Sequence, residues 1–494
     1  MNKARQRDWF GRRRAGVLLP VDALSPPSGG GALGDPAQRF LHFLSGAGFG
    51  IWQMLPVQPV DVHSSPYQGC SAFAGNPGLI SRPRVASNAW FRAADQDTAR
   101  AQAELHGDPA GAALTAFNVH AGDGDRAGYA VFREQSRSWL DEYALFMSIR
   151  QECGNRPWWD WPEGLRNRDA ATLRIFRSEH AAAIERQCFD QFLFSCQWRE
   201  LRDNARTLGI LMFGDMPLFV AHDSADVWSH PEYFQLDARG QPIAVAGVPP
   251  DYFSATGQRW GNPLYDWARL EEQGFQWWVE RMRRQMELFD IVRIDHFRGL
   301  EALWEIPADC PTAQRGEWRP VPGEALLRTL RKALGALPCV AEDLGIITPA
   351  VEKLRRRFGM PGVKVLQFAF DGDARNPYLP HNLETESIVY TGTHDNNTTF
   401  GWYEGLDVEK RIKVLDYLRQ PSEPMPWPLI NAALASVCRF AIPPMQDLLA
   451  QGAAHRTNTP GTVDGNWQYR LDWNLLTPEL SGWLRHLNEL YGRC

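Results

Sequence analysis

Long apolar runs are missing from this chain. No stretch approaches the ~20 consecutive apolar residues of a membrane span, so no spanning helix is expected. Positive charge is not in excess either: 52 Lys and Arg stand against 58 Asp and Glu, a formal net charge of -6. That balance offers no footing for nucleic acid or an anionic membrane surface. The eight cysteines, at 70, 153, 188, 196, 310, 339, 438 and 494, form no C-x-x-C pair and no even framework, and they read as reduced thiols of a cytoplasmic protein. Neither G-x-x-x-x-G-K-S/T, nor G-x-G-x-x-G after a strand, nor a G-x-S-x-G elbow occurs, and no Cys/His cluster has metal-ligand spacing. Phosphate, dinucleotide, serine-nucleophile and zinc chemistries therefore lack their residues. Internal repeats and low-complexity tracts are also absent. Arg12, Arg13 and Arg14 precede the apolar Ala15 to Pro20 like a crude export signal, but Pro20 and Asp22 interrupt it too early. A soluble, unexported protein is the expectation.

What remains is a globular composition, 44% hydrophobic and 22% charged, over 494 residues, with 20 tryptophans. Most of those indoles belong in a core, yet indole faces also suit flat apolar ligand surfaces such as the CH faces of sugars. Short apolar runs bounded by Gly, Pro or Asp begin at Val17, Ile51, Ile210, Ile291, Cys339, Val363, Ser387 and Val437. Helix-like segments lie between them, clearest at Ala182 to Leu208, Leu270 to Phe289, Gly323 to Leu334, Thr348 to Phe358, and Val408 to Leu418 behind a capping Asp407. Eight strands alternating with helices predict one (β/α)8 TIM barrel spanning 1–494. Two intervals are too long for plain crossovers. Residues 57–179 and 214–265 are expected to be subdomains inserted after strands 2 and 3.

Within the run FDIVRIDHFRGL, from Phe289 to Leu300, alternation puts Ile291, Arg293 and Asp295 on one strand face and Val292 and Ile294 on the other. Charges inside such a strand are costly unless paired or used. Acids recur at the ends of neighbouring runs: Asp215 after ILMFG, Asp295 after IVRI, Glu342 after CVA, Asp371 after FAF, and Asp395 beside His394 after VYTGT. Singly these are ordinary turn or capping residues. In a barrel, however, all carboxyl ends of strands lie on the face where active sites sit. Arg293 and Asp295 then reach a cleft as partial counter-charges.

Asp295, Glu342 and Asp395 without a metal-ligand cluster fit glycoside chemistry, in which one ionised acid attacks or supports the anomeric carbon and a protonated one donates to the leaving oxygen. Glu342, with its longer arm and acidic neighbours, is assigned the proton. Asp295, beside Arg293, is assigned nucleophilic attack. His296 and His394 suit hydrogen bonds to a polar substrate better than metal ligation.

Several stretches carry a resemblance: RIDHFRG at 293–299, VAEDLGIITPAVEKLR at 340–355, GMPGVKVLQFAFDGD at 359–373, THDNNTT at 393–399, GDMPLFVAHDSADVW at 214–228, GVPPDYFSATGQRWGNPLYDW at 247–267, SPYQ at 65–68, SAFAGNP at 71–77 and NTPGTVDGNW at 458–467. Together they resemble the amylomaltases, the 4-α-glucanotransferases or disproportionating enzymes allied to the α-amylase superfamily, over nearly the whole chain. The resemblance implies retaining transfer of α-1,4-glucan segments, with α-1,4-glucans and maltooligosaccharides as partners and no cofactor or metal. It gives Asp295 as nucleophile, Glu342 as general acid/base and Asp395 as transition-state stabiliser. Tyr67, Asp215, Arg293, Asp371, His394 and Asn466 fall at sugar-contacting positions. Residues 247–260 are similar to the family's acceptor-side lid, with Tyr252, Phe253, Gln258 and Trp260 available to cover glucan. Ahead of SPYQ the chain departs from the family pattern, with Ser64 where an acid is usual. An α-glucan hydrolase could use the same three acids, and a noncatalytic glucan-binding protein would have lost one of them.

Overall fold

The computed structural model describes residues 9–26, 30–60, 65–94, 109–250, 254–462 and 464–494. In chain order the strands are β1 (Arg14–Leu18), β2 (Ile51–Gln53), β3 (Leu211–Met216), β4 (Ala244–Val248), β5 (Gln258–Pro263), β6 (Ile291–Ile294), β7 (Ala302–Pro307), β8 (Glu317–Pro320), β9 (Cys339–Ala341), β10 (Gly362–Val365), β11 (Ser387–Tyr390) and β12 (Phe440–Ala441). Eight of them, β1, β2, β3, β6, β9, β10, β11 and β12, pair in parallel in sequential order. The pairing of β1 with β12 closes the barrel. Each begins within or beside one of the eight apolar runs, as the spacing predicts.

Two run ends differ. The run from Val363 leaves the sheet at Val365 and tightens into the 3₁₀ turn Leu366–Phe368, and only Phe440–Ala441 of the last run pairs, while Val437 is exposed.

The barrel interior is filled by alternate residues, among them Ile51, Phe213, Ile291, Val340, Val363, Val365, Ile388 and Phe440, all buried. Their neighbours Trp52, Met212, Val292, Cys339, Ala341 and Val389 pack outward with the helices. Ile291 therefore points inward, and the pleat carries Arg293 to the same side. Gly214 in β3 has a local reason: a Cβ there would stand 2.1 Å from the ring of Phe289, which lies on the strand.

Helix Ala181–Thr207 matches the expected span and ties the β2–β3 insertion to the barrel. Toward its start Phe189 packs against Phe117 and Tyr129 of the insertion; toward its end Trp198 donates its indole N–H to the Leu288 carbonyl at 2.9 Å. Burying a side chain such as Phe189 contributes roughly 1.5–3 kcal/mol, enough to make this helix the shared wall of both parts. The expected helix Leu270 to Phe289 is instead two, Trp267–Glu272 and Gln276–Leu288, because Gly274 and Phe275 take left-handed backbone (φ 64° and 54°) between them.

A second sheet, antiparallel in the order β5-β4-β7-β8, stands beside the barrel. Two of its strands, β7 and β8, come between barrel strands β6 and β9 along the chain, an excursion that sequence periodicity did not reveal. The interval after β3 supplies β4 and β5, an antiparallel pair backed by β7, so Gly247 and Val248 lie on one arm and Gln258 to Trp260 on the other.

Candidate active site

At the carboxyl ends of the strands the parallel register sets Asp215 of β3 directly opposite Arg293 of β6. The buried guanidinium donates to Asp215 Oδ2 at 2.5 Å and pairs with Asp295 Oδ1 at 2.9 Å. This arrangement answers why a buried strand carries an arginine: it bridges two strand-end carboxylates. Tyr67, from the segment following β2, adds a third contact. Its hydroxyl donates to Asp215 Oδ2 at 2.7 Å and lies 2.9 Å from His394 Nε2, whose ring stacks on it at 5.4 Å. Burial holds the His394 imidazole below its ordinary value, and because the Tyr67 hydroxyl gives its proton to Asp215, the contact with His394 has Nε2–H as donor to the Tyr67 oxygen.

Glu342 follows β9. The His296 amide donates to its Oε2 at 2.9 Å, and the left-handed backbone at His296 (φ 49°) turns that amide inward. No cation among the described residues forms an ion pair with Glu342. Burial, opposed by the more distant Arg293 and reinforced by Asp295, pushes its carboxyl up to about 8. Burial also raises Asp295, to about 6, with Arg293 opposing. Asp295 is in direct contact with the guanidinium and its side chain is 28% exposed, so it remains the more acidic of the two. Two neighbouring carboxyls are thus set apart, one prone to keep a proton and one prone to lose it, the arrangement that acid and nucleophile require. The next residue, Asp343, is part of the frame: it accepts the Val363 amide at 2.6 Å and pairs with buried Arg355 at 3.1 Å.

Asp395 is presented by the turn after β11. Asp447 anchors that turn from beneath, accepting the Thr391 hydroxyl at 2.5 Å and the Thr399 hydroxyl and amide at 2.5 and 2.7 Å. Asp395 Oδ2 lies 3.4 Å from His394 Nε2, and Oδ1 accepts from Asn458 Nδ2 at 2.6 Å. Arg456 braces the same turn, donating to the Asp395 and Asn458 carbonyls, both at 2.5 Å. Sequence reasoning did not single out Asn458 or Arg456; the only signal was that Asn458 opens the NTPGTVDGNW stretch.

Asp215, Arg293, Asp295, His394, Asp395 and Tyr67 thus form one contact network, with Glu342 beside it. Trp260, on β5, meets His296 edge-on at 4.9 Å, and its indole N–H donates to Gln258 at 3.1 Å. Asn466 is engaged within its own loop, accepting the Thr459 amide at 2.8 Å and donating to the Thr462 carbonyl at 2.9 Å. Asp371 stands outside the network, its side chain 57% exposed and paired with Lys410 at 2.8 Å. Tyr252 and Phe253, like Ser64, lie outside the described residues.

Comparison with known proteins gives the family. The family model described as 4-alpha-glucanotransferase, glycoside hydrolase family 77, matches residues 19–476. A 4-alpha-glucanotransferase of Thermus thermophilus is 46% identical over 97% of this chain and 98% of its own. One from Synechocystis sp. is 43% identical over 98% of both chains. The structure of an amylomaltase from Streptococcus agalactiae in complex with acarbose superposes with a TM-score of 0.91 at 35% identity, covering 98% of this chain and 100% of that one. The chain is a member of the 4-alpha-glucanotransferase family, glycoside hydrolase family 77.

Proposed function

We propose that this enzyme moves α-1,4-glucan segments between maltooligosaccharides with retention, through a covalent ester on Asp295. Glu342 gives its proton to the glycosidic oxygen as the C1–O bond breaks, and Asp295 Oδ2 closes on C1 from the other side to form the glycosyl ester. The shortened glucan leaves as an alcohol. The 4-hydroxyl of an acceptor sugar then attacks C1, its proton passes to the Glu342 carboxylate, and the Asp295 ester bond breaks. Both acids return to their starting states.

Asp395 accepts hydroxyl hydrogen bonds that strengthen as the ring flattens toward the oxocarbenium-like transition state. Tyr67, Asp215, Arg293 and His394 form the wall against which the reacting sugar rests, and Gln258, Trp260, Tyr252, Phe253, Asp371 and Asn466 are proposed contacts toward the acceptor and the chain ends. The observation that carries this reading is the contrast between two adjacent carboxyls, Asp295 salt-bridged to Arg293 and Glu342 without an ion-pair partner among the described residues. The acarbose-bound relative supports an oligosaccharide as the occupant.

The ester is tested by trapping. A 5-fluoro-α-glucosyl fluoride reacts readily but its ester turns over slowly, so peptide mass spectrometry should find one added glycosyl on Asp295. A label on another residue, or no label with full inactivation, overturns the assignment.

A further inference from the structure

Away from the catalytic mouth, helix Arg137–Glu152, the short helix Ala225–Ser229 and helix Gln276–Leu288 enclose a cavity of about 250 Å³. None of the residues assembled above lines it. Its walls include Trp139, Tyr233 and Trp277, and the carboxylates Glu142, Asp226 and Glu280 face the same space. Glu142 is already neutralised by Arg168 and Arg177, and Glu280 accepts from Gln276 at 2.9 Å.

Asp226 differs. It is 5% exposed, its Oδ2 accepts the Ala72 amide at 2.7 Å, and no cation among the described residues forms an ion pair with it. Its Oδ1 takes no side-chain or distant backbone donor among those residues. Burial pushes this carboxyl up, opposed by the Ala72 amide and, at longer range, by Arg281 and His230.

The surroundings narrow the ligand. Arg281 lies over Trp277 and Arg284 over Trp139, each 5.3 Å from the indole centroid, so positive charge already sits on both rings. A cationic ligand would be repelled there. A neutral polyol with an apolar face suits both the aromatic walls and a carboxylate whose Oδ1 can still accept hydroxyl donors. The volume is below the ~300–1,000 Å³ of pockets for drug-sized ligands, which limits the occupant to one or two hexose units.

We infer that this cavity is a second saccharide site, seating one or two glucosyl units of a glucan apart from the reacting bond. The inference rests on the glucan reading above. Its floor is joined to the catalytic wall: Ala72 bonds Asp226 and Cys70 accepts the Ala225 amide at 2.9 Å, a few residues from Tyr67 in the same segment. A long glucan held here would be presented at higher effective concentration, whereas maltotriose would gain nothing.

Calorimetric titration of the Asp295→Asn variant with maltotriose tests the site directly. A class of binding is expected in addition to those at the donor and acceptor sides of the active site. Adding Asp226→Asn preserves a carbonyl oxygen for the Ala72 amide and replaces the other carboxylate oxygen with an amide nitrogen. One class should then weaken about tenfold or more, as expected for loss of charge-assisted hydrogen bonds. Ser229→Trp, which fills the cavity, should remove that class and serves if the first change destabilises the fold. With Asp295 intact, both variants should keep the wild-type rate on maltotriose and show a raised KM on long amylose. If every class seen in Asp295→Asn survives both changes unweakened, the proposal is overturned. Failure of the unmodified enzyme to lengthen maltotriose would instead refute the transfer reading, independently of the titration.

Discussion

Replacing Glu342 with Gln tests the division of labour between the two carboxyls. Burial raises Glu342 to about 8 and Asp295 to about 6. The competent state has the first protonated and the second ionised, so it is depleted as pH falls through the Asp295 value and as pH rises through the Glu342 value. The profile of kcat/KM against pH on maltotriose should therefore be a bell with limbs near these values. Glu342→Gln keeps the size and the acceptor for the His296 amide but has no proton to give. Activity on maltotriose should drop about 10²–10⁴-fold, while α-glucosyl fluoride, whose leaving group needs no proton, should suffer far less. The alkaline limb should vanish.

Stability moves the opposite way. Between the unfolded value near 4.5 and the folded value near 8 the native state binds the extra proton, so the Glu342 contribution to stability is present at low pH and is lost as pH rises through that window. The variant should lose less stability than the wild type between pH 5 and pH 9. Equal losses on both donors, or an unchanged alkaline limb, would refute the assignment of Glu342 as the acid.

Other changes separate the remaining roles. Asp295→Asn should keep the fold and glucan binding but lose transfer by about 10³-fold or more, since an amide cannot form the ester; thermal unfolding and calorimetry check the first two, and turnover the third. Asn458→Leu removes the donor 2.6 Å from Asp395 Oδ1 and should lower kcat by about tenfold or more with a smaller change in KM, because Asp395 is loosened while the Tyr67–Asp215–Arg293 wall stays. Replacing both Tyr252 and Phe253 with Ala should raise the share of hydrolysis over transfer, measured as reducing ends formed per maltotriose consumed. A crystal structure should place the Asp295 and Glu342 carboxyls ~5–5.5 Å apart, as retention requires; ~6.5–9.5 Å would indicate inversion.

The barrel was legible because buried parallel strands read as short aliphatic runs, and the sites at their ends because acids there break the run. The same logic explains what was missed. The exposed strand β8, with the sequence EWRP, and the mixed ALWEIP of β7 have no such contrast, and their sheet depends on pairing with β4, far away in sequence. Asp371 resembles the other strand-end acids in sequence, but it follows the 3₁₀ turn at Leu366–Phe368 rather than the strand itself, and its carboxylate is exposed and paired with Lys410. Asn458 and Arg456 belong to a polar loop with no periodicity, so only the folded contact with Asp395 identifies them. The ordering of Glu342 above Asp295 was anticipated from neighbouring charge, whereas in the structure burial is the larger cause.

Transfer rather than hydrolysis is the central claim, and maltotriose alone decides it. Once Asp295 carries a glycosyl group, water at ~55 M competes with millimolar acceptor, so transfer prevails only if the acceptor is positioned and water is kept out. Products resolved by size, with reducing ends counted in parallel, should show glucose and a ladder of longer maltooligosaccharides at a constant number of reducing ends. A rise in reducing ends in step with substrate loss, with no chain longer than maltotriose, would contradict the account.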